Sequence, residues 1–313
     1  MRRHLVRQLW LMATTLVGVA TLVFLIMRAT PGDPARLMLG DFATPEALAQ
    51  LRTQLGLDKP LGEAYLEFLR DYTRGDLGTS LSSRRPVIDE IAARAPYTLQ
   101  LALAAMGFAI AVGLPLGMLA AVKRNSLLDH ASMLAAIVSG STPVFFLGLV
   151  LILVFAVHLR WLPAIGVGYP GDAASLVRAL ILPSLAVGAP TATIIARMTR
   201  SSMLEVLGQE YIRTARAKGL AEFAVLARHA LKNASIPLVT VIALNIGYLV
   251  GGAVIVETVF ARPGLGKLLV DAILFRDYPV VQGVAFVIAA SFIVINALTD
   301  LSYVWLDPRI KYR

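Results

Sequence analysis

The chain has 313 residues, 57% of them hydrophobic and only 16% charged, with mean hydropathy +0.72; soluble domains carry roughly 25% charged residues, so an ordinary soluble protein is excluded. The net charge of +9 does not point to nucleic acid, because the basic residues stand at the ends of apolar runs instead of forming one patch interleaved with aromatics. The absence of cysteine excludes a disulfide framework, a thiolate metal site and a cysteine nucleophile, and His4, His130, His158 and His229 are too scattered for a ligand spacing.

A membrane span needs about 20 mostly apolar residues, since every backbone polar group must be satisfied within the helix. Six segments meet that requirement. The first, Gln8 to Met27, follows Arg2, Arg3 and Arg7. Its apolar run exceeds the roughly 7 to 15 residues of a signal peptide, and no small-residue cleavage site precedes Pro31, so it reads as an uncleaved helix. Arg28 to Arg94 comes next, 67 residues with nine basic and ten acidic side chains. Nearly neutral and long enough to translocate whatever its charge, it is expected to be a small extracytoplasmic insert. Thr44 to Leu55 has helical spacing with Thr44 as cap and Pro45 at the first helical position. Leu61 to Tyr72 continues similarly, and Gly75-Asp76-Leu77-Gly78-Thr79-Ser80 makes a turn.

The remaining spans are Thr98 to Val122, Ala131 to Val157, Leu176 to Ala196, Ile236 to Phe260 and Val280 to Trp305. Pro115, Pro143, Pro183 and Pro190 are expected to kink their helices. The pairs Gly113/Gly117 and Gly247/Gly251 allow close backbone approach. Ser139, Ser141 and Thr142 in the third span, Asn245 in the fifth and Asn296 in the sixth lie deep enough either to line a path or to bond neighbouring helices. Asp300 and Glu257 fall near opposite ends of their spans, where neither needs to be buried. Lysine and arginine concentrate on the side holding both termini and the loops after spans two and four, which makes both termini cytoplasmic.

A polar interruption, Arg197 to Ser235, holds seven basic against three acidic residues. Tyr211, Ile212 and Ala215 form a short apolar face beside Arg213 and Arg216. Gly219 offers a corner through positive φ. Phe223, Leu226, Ala227, Ala230, Leu231 and Ala234 then fall on one helical stripe. These residues alone allow two readings, a solvated basic loop obeying the positive-inside bias or a docking knuckle.

The knuckle resembles the E-A-A-x-x-x-G motif of binding-protein-dependent ABC importer permeases, with Arg213, Thr214, Ala215 and Gly219 at the motif positions. Arg213 replaces the glutamate and Thr214 the first alanine. Both departures are similar to the dipeptide, oligopeptide and nickel branch. Pro31-Gly32-Asp33-Pro34, Gly75-Asp76-Leu77-Gly78, Thr142-Pro143-Val144-Phe145-Phe146-Leu147-Gly148, Trp161-Leu162-Pro163, Glu257-Thr258-Val259-Phe260, Pro263-Gly264-Leu265-Gly266 and Leu306-Asp307-Pro308-Arg309 also resemble the B-type membrane subunit of that family.

The resemblance implies an all-α polytopic membrane protein of six transmembrane helices with the type I importer permease fold. Residues 1–94 would form the first helix and insert, 95–306 the permease domain with a coupling loop at about 200–235, and 307–313 a cytoplasmic tail. Its site is in an inner membrane, among lipid. It implies a second homologous permease, two cytoplasmic ATPase subunits that hold ATP and magnesium, and an external substrate-binding protein, with no cofactor, catalytic residue or metal in this chain. Tyr211, Ile212, Arg213, Thr214, Ala215, Arg216, Lys218 and Gly219 would engage an ATPase subunit, the apolar face supplying the buried part. Pro263, Gly264, Leu265 and Gly266 would meet the binding protein. The cargo expected is a dipeptide or oligopeptide, with nickel or another small solute as the alternative.

Gly264-Leu265-Gly266-Lys267 superficially suggests a phosphate-binding loop. It fails because Leu268 stands where a hydroxyl must reach magnesium, Ala261 stands at the first glycine and no strand precedes it. A self-contained secondary transporter or channel would need intramembrane coupling residues and commonly internal repeats, neither of which is visible. A membrane-embedded enzyme would need a catalytic constellation at consistent depth, which is also missing.

Overall fold

The computed structural model describes residues 2–29, 35–36, 44–54, 57–169 and 171–306. Twelve α-helices follow one another among these: α1 Arg2–Ala29, α2 Pro45–Gln54, α3 Leu61–Thr73, α4 Val87–Val122, α5 Leu127–Ser141, α6 Val144–Leu151, α7 Ala173–Leu207, α8 Glu210–Ala217, α9 Glu222–Ala224, α10 Leu231–Val259, α11 Leu265–Leu274 and α12 Tyr278–Leu306. Two wide-turn π-helical stretches interrupt the series, Ile152–His158 after α6 and Val225–Ala230 between α9 and α10. The one strand-like feature among the described residues is an isolated bridge between Thr79 and Pro86.

The helix boundaries follow local chemistry. Thr44 caps α2 by accepting from the Ala47 N–H at 3.3 Å, as its sequence predicts. Ser126 caps α5 through the Asp129 N–H. Asp172 caps α7 by accepting from the N–H groups of Ala174 and Ser175 at 3.0 and 3.2 Å. The turn at Gly75 to Ser80 uses two glycines at positive φ, and the Gly78 N–H donates to Asp76 Oδ1 at 2.9 Å.

The expected third span is two helices, not one. Thr142 is extended at φ −85° and ψ 125°, as a residue preceding proline prefers, and α5 and the following helix meet there at 109°. The other prolines behave differently: α4 continues through Pro115 and α7 through both Pro183 and Pro190. A further bend of 59° precedes Pro237. By length and apolar composition α4, α7 and Tyr278–Thr299 of α12 each suffice to cross a membrane, and the two bent pairs suffice jointly. The first helix carries the shorter apolar stretch Trp10–Ile26.

Two compact units form. The first contains residues 1–96 and 264–294. Its core gathers Leu77, Val87, Ile91, Leu265, Leu268, Ala272, Val280 and Val284. An aromatic series joins α1, α3 and α12 inside this unit: Phe24 lies 5.4 Å from both Tyr65 and Phe68, Phe68 4.1 Å from Tyr72, and Tyr72 5.0 Å edge-on to Phe286. Asp277, buried, accepts from Ser80 Oγ at 2.6 Å and from the Ser82 N–H at 3.1 Å, and so fixes the turn that precedes α4.

The second unit contains residues 97–263 and 295–313. Leu101, Ala105 and Ala109 of α4, Leu182, Ala186 and Ile195 of α7, and Leu249, Ala253 and Val256 of α10 form its core, with Phe260. Small residues let α4 and α7 touch backbone to backbone. A Cβ placed on Gly113 would stand 2.6 Å from the Ala192 carbonyl oxygen, and one on Gly117 would strike that of Ala196. The expected second pair is different, because a Cβ on Gly251 meets nothing within 4 Å.

The expectation that Glu257 needs no burial is corrected: it is 0% exposed. A buried carboxylate requires partners, and Glu257 accepts from Thr98 Oγ1 at 2.6 Å. The nearby Arg262, also buried, donates to Gln100 Oε1 at 3.1 Å and lies 5.8 Å from the Tyr97 ring centre. The side chain of Asp300 and residues 307–313 lie outside the described set, as do Pro31 to Pro34.

Replacing Gly117 with leucine forces α4 away from α7, and overpacking of this kind costs about 1–3 kcal/mol. Thermal unfolding of the purified chain in detergent should show a lowered midpoint for Gly117→Leu and none for Gly251→Ala.

Candidate functional site

Between α7 and α10 the chain builds a bent knuckle. Gln209 is extended, α8 runs eight residues, and Gly219 takes φ +76°. At that φ a side chain is strained and glycine is not. The corner is braced from its α8 side: the Lys218 N–H donates to Thr214 O at 3.1 Å and the Gly219 N–H to Arg216 O at 2.9 Å. Arg216 reaches across it to Glu222 with a two-point pair, Nε to Oε2 at 3.1 Å and Nη2 to Oε1 at 2.7 Å. Both side chains are about half exposed, and the guanidinium beside Glu222 holds that carboxyl below its ordinary value.

The two faces of α8 differ from expectation in one respect. Ile212 is 0% exposed and Ala215 buried, and both pack with Ala121, Met203, Val225, Ala230 and Ala234 of the same chain. They anchor α8 to its own scaffold and are not available to a second protein. Tyr211 is 42% exposed, and its hydroxyl accepts from Asn233 Nδ2 at 2.9 Å. Arg213, Thr214, Arg216, Lys218 and Gly219 lie outward. The apolar stripe after the corner also divides: Ala230 and Ala234 are buried, whereas Phe223 is 82% exposed and Leu220 beside it 43%. Sequence spacing placed Phe223 on one stripe with Ala230 and Ala234. The wide turn at Val225–Ala230 moves the phase of the residues before it.

A second feature tightens the same region. Asp129 at the start of α5 receives Arg200 of α7 through two bonds, Nε to Oδ1 at 2.6 Å and Nη2 to Oδ2 at 2.7 Å. The Asn125 N–H adds a third at 2.9 Å. Sequence reasoning missed this pair, although a serine cap followed three residues later by an acid is a known helix-start signature.

The path-lining candidates separate. Ser141 and Asn245 face a common cavity of about 460 Å³ among α5, α7 and α10. Ser139, Thr142 and Asn296 do not border it. Thr142 Oγ1 donates to Val138 O at 2.6 Å within its own helix, and Ser139 Oγ has no hydrogen-bond partner among the described residues. Of the segment Pro263 to Gly266, Gly264, Leu265 and Gly266 are buried. Leu265 belongs to the core of the first unit, so these three residues start α11 and present no docking surface.

Comparison with known proteins extends over the whole chain. Residues 113–312 match the family described as binding-protein-dependent transport system inner membrane component, and residues 1–102 match its N-terminal membrane component. The dipeptide transport system permease protein DppB of Escherichia coli strain K12 is 43% identical over 338 aligned positions, covering 100% of both chains. The glutathione transport system permease protein GsiC of Escherichia coli O6:H1 is 44% identical over 313, again covering 100% of both. Among solved structures, the inward-facing MetNI methionine ABC transporter aligns with TM-score 0.53 at 20% identity, over 69% of this chain and 96% of that one.

Truncating Ile212 to alanine removes the apolar peg that seats α8, at a cost of about 2–5 kcal/mol for a buried position. The expected result is faster tryptic cleavage at Arg213, Arg216 and Lys218 in detergent, with unchanged cleavage elsewhere.

Proposed function

The chain belongs to the binding-protein-dependent transport system inner membrane components, the multi-pass permease subunits of ABC importers, and on that premise we propose that it forms part of the translocation path for dipeptides or oligopeptides and is driven by cytoplasmic ATPase subunits through Glu210–Gly219. It is a transport subunit and not an enzyme. What carries the cargo reading is identity above 40% to relatives named for dipeptide and glutathione transport, over 100% of both chains.

The mechanical part of the proposal uses the outward surface of the knuckle. Phe223 and Leu220 supply exposed apolar area, and Arg213 and Lys218 exposed charge, within the same knuckle, the composition of a binding hot spot with a charged rim. An ATPase subunit grips this surface. Because α8 is pegged by Ile212 to helices α7 and α10, a displacement of the corner is passed to both, and Arg200 passes it to α5 through Asp129. ATP and magnesium belong to the ATPase subunits. A second, homologous permease completes the path, an external binding protein delivers the cargo, and both termini face the cytoplasm.

Gly219→Pro removes the positive-φ corner. Co-purified ATPase subunits should be lost, together with ATP-driven peptide uptake, while membrane insertion persists. Phe223→Ala should weaken ATPase retention by about 2 kcal/mol, read as a roughly thirtyfold rise in dissociation constant. Since the chain has no cysteine, a single Lys218→Cys variant reports topology directly. An impermeant maleimide should label it in inside-out vesicles and not in intact cells; the reverse pattern would overturn the orientation.

A further inference from the structure

We infer that the cavity among α5, α7 and α10 is a binding station for the carboxylate end of a solute in transit, with Arg197 as its charge partner. The inference rests on the importer reading above and narrows it to one place and one chemistry. At about 460 Å³ the cavity has the size of a small-molecule site, which typically spans roughly 300–1,000 Å³. Ile137, Pro190 and Ile194 give it apolar walls, and Ser141, Thr191, Asn245 and Arg197 give it polar groups.

One observation points to an anion, and a second marks the wall beside it. Arg197 borders the cavity and forms no ion pair among the described residues, and no carboxylate is among the lining side chains. A guanidinium presents a planar fork that matches a carboxylate in two-point geometry. Thr191 supplies the second observation. It is 1% exposed, and its Oγ1 has no hydrogen-bond partner among the described residues. A helical threonine commonly satisfies itself on the carbonyl four residues earlier, as Thr142 and Thr258 do here. Thr191 does not, and neither Ser184 nor Thr199 of the same helix has a partner among the described residues; of these three hydroxyl residues only Thr191 borders the cavity.

The rest of the lining is compatible with such a guest. Asn245 Nδ2 spends one proton on Val241 O at 2.7 Å, so its second N–H and its carbonyl oxygen stay open to a ligand. Gly140 also lines the cavity, and a Cβ there would meet nothing within 4 Å, so a bulky side chain can narrow this wall without displacing a neighbouring helix.

Equilibrium binding of alanyl-alanine and of its C-terminal amide to the assembled importer, without the external binding protein, tests the inference. The importer is held in nanodiscs of neutral lipid or of neutral plus anionic lipid. The free acid should bind the unaltered importer at least about tenfold more tightly than the amide. Arg197→Gln should abolish that difference and Arg197→Lys restore part of it. Gly140→Leu should weaken both ligands, with ATPase subunits still retained in all three variants. Equal binding of acid and amide by the unaltered importer overturns the inference. So does an Arg197→Gln effect seen only with anionic lipid, which assigns the arginine to a phosphate headgroup. ATP-driven uptake of alanyl-alanine by the complete importer is measured in parallel. Its absence fells the peptide reading itself, whereas uptake with acid and amide bound equally fells the carboxylate station alone.

Discussion

Everything in the second unit depends on how closely α4 and α7 approach. Hydrocarbon tails are as apolar as leucine, so burial of apolar side chains gives membrane helices little reason to associate, and contact at short range must do so instead. Gly113 and Gly117 set their Cα atoms against the Ala192 and Ala196 carbonyls, and Gly188 returns the approach against that of Ala105. With these two helices fixed, α10 has a groove to fill with Leu249, Ala253 and Val256. The cavity beside Asn245 is bounded by α5, α7 and α10 and not by α4.

The polar contacts act at the ends of this packed centre. Glu257 and Thr98 bond at one end, and Asp129 and Arg200 at the other. The first ties the end of α10 to α4 and the second the start of α5 to α7, and each involves a carboxylate withdrawn from solvent. Removing the partner of an enclosed carboxylate takes away a bond that offsets its burial, which is more damaging than the bond is stabilising. Such pairs therefore specify which helices meet more than they add to stability.

How much of this could be read from residues alone depended on the range of the physics involved. Apolar run length, the Thr44 cap, the Gly75 and Gly78 turn and the Gly219 corner are local properties of a few neighbouring residues, and the sequence reading located each of them. The 109° break at Thr142 was only half legible. Proline at 143 signals a disturbance, but the same signal at 183 and 190 leaves α7 continuous, because whether a helix bends depends on what packs around it. The orientation of Ile212 and Phe223 was illegible for a different reason: periodicity assigns residues to a face without saying what the face meets. Ile212 found its partners within the chain, and Phe223 was turned outward by a change of helical pitch. Asp129 with Arg200 and Thr98 with Glu257 join residues far apart in sequence, and no spacing rule reaches that distance.

That change of pitch has a geometric reach of its own. A π-helical turn takes up more residues than an α turn, and each residue of an α-helix advances the azimuth by about 100°. The six residues Val225–Ala230 thus act as a rotary joint between the knuckle and α10. With this winding α10 presents Asn245 and Tyr248 to the cavity.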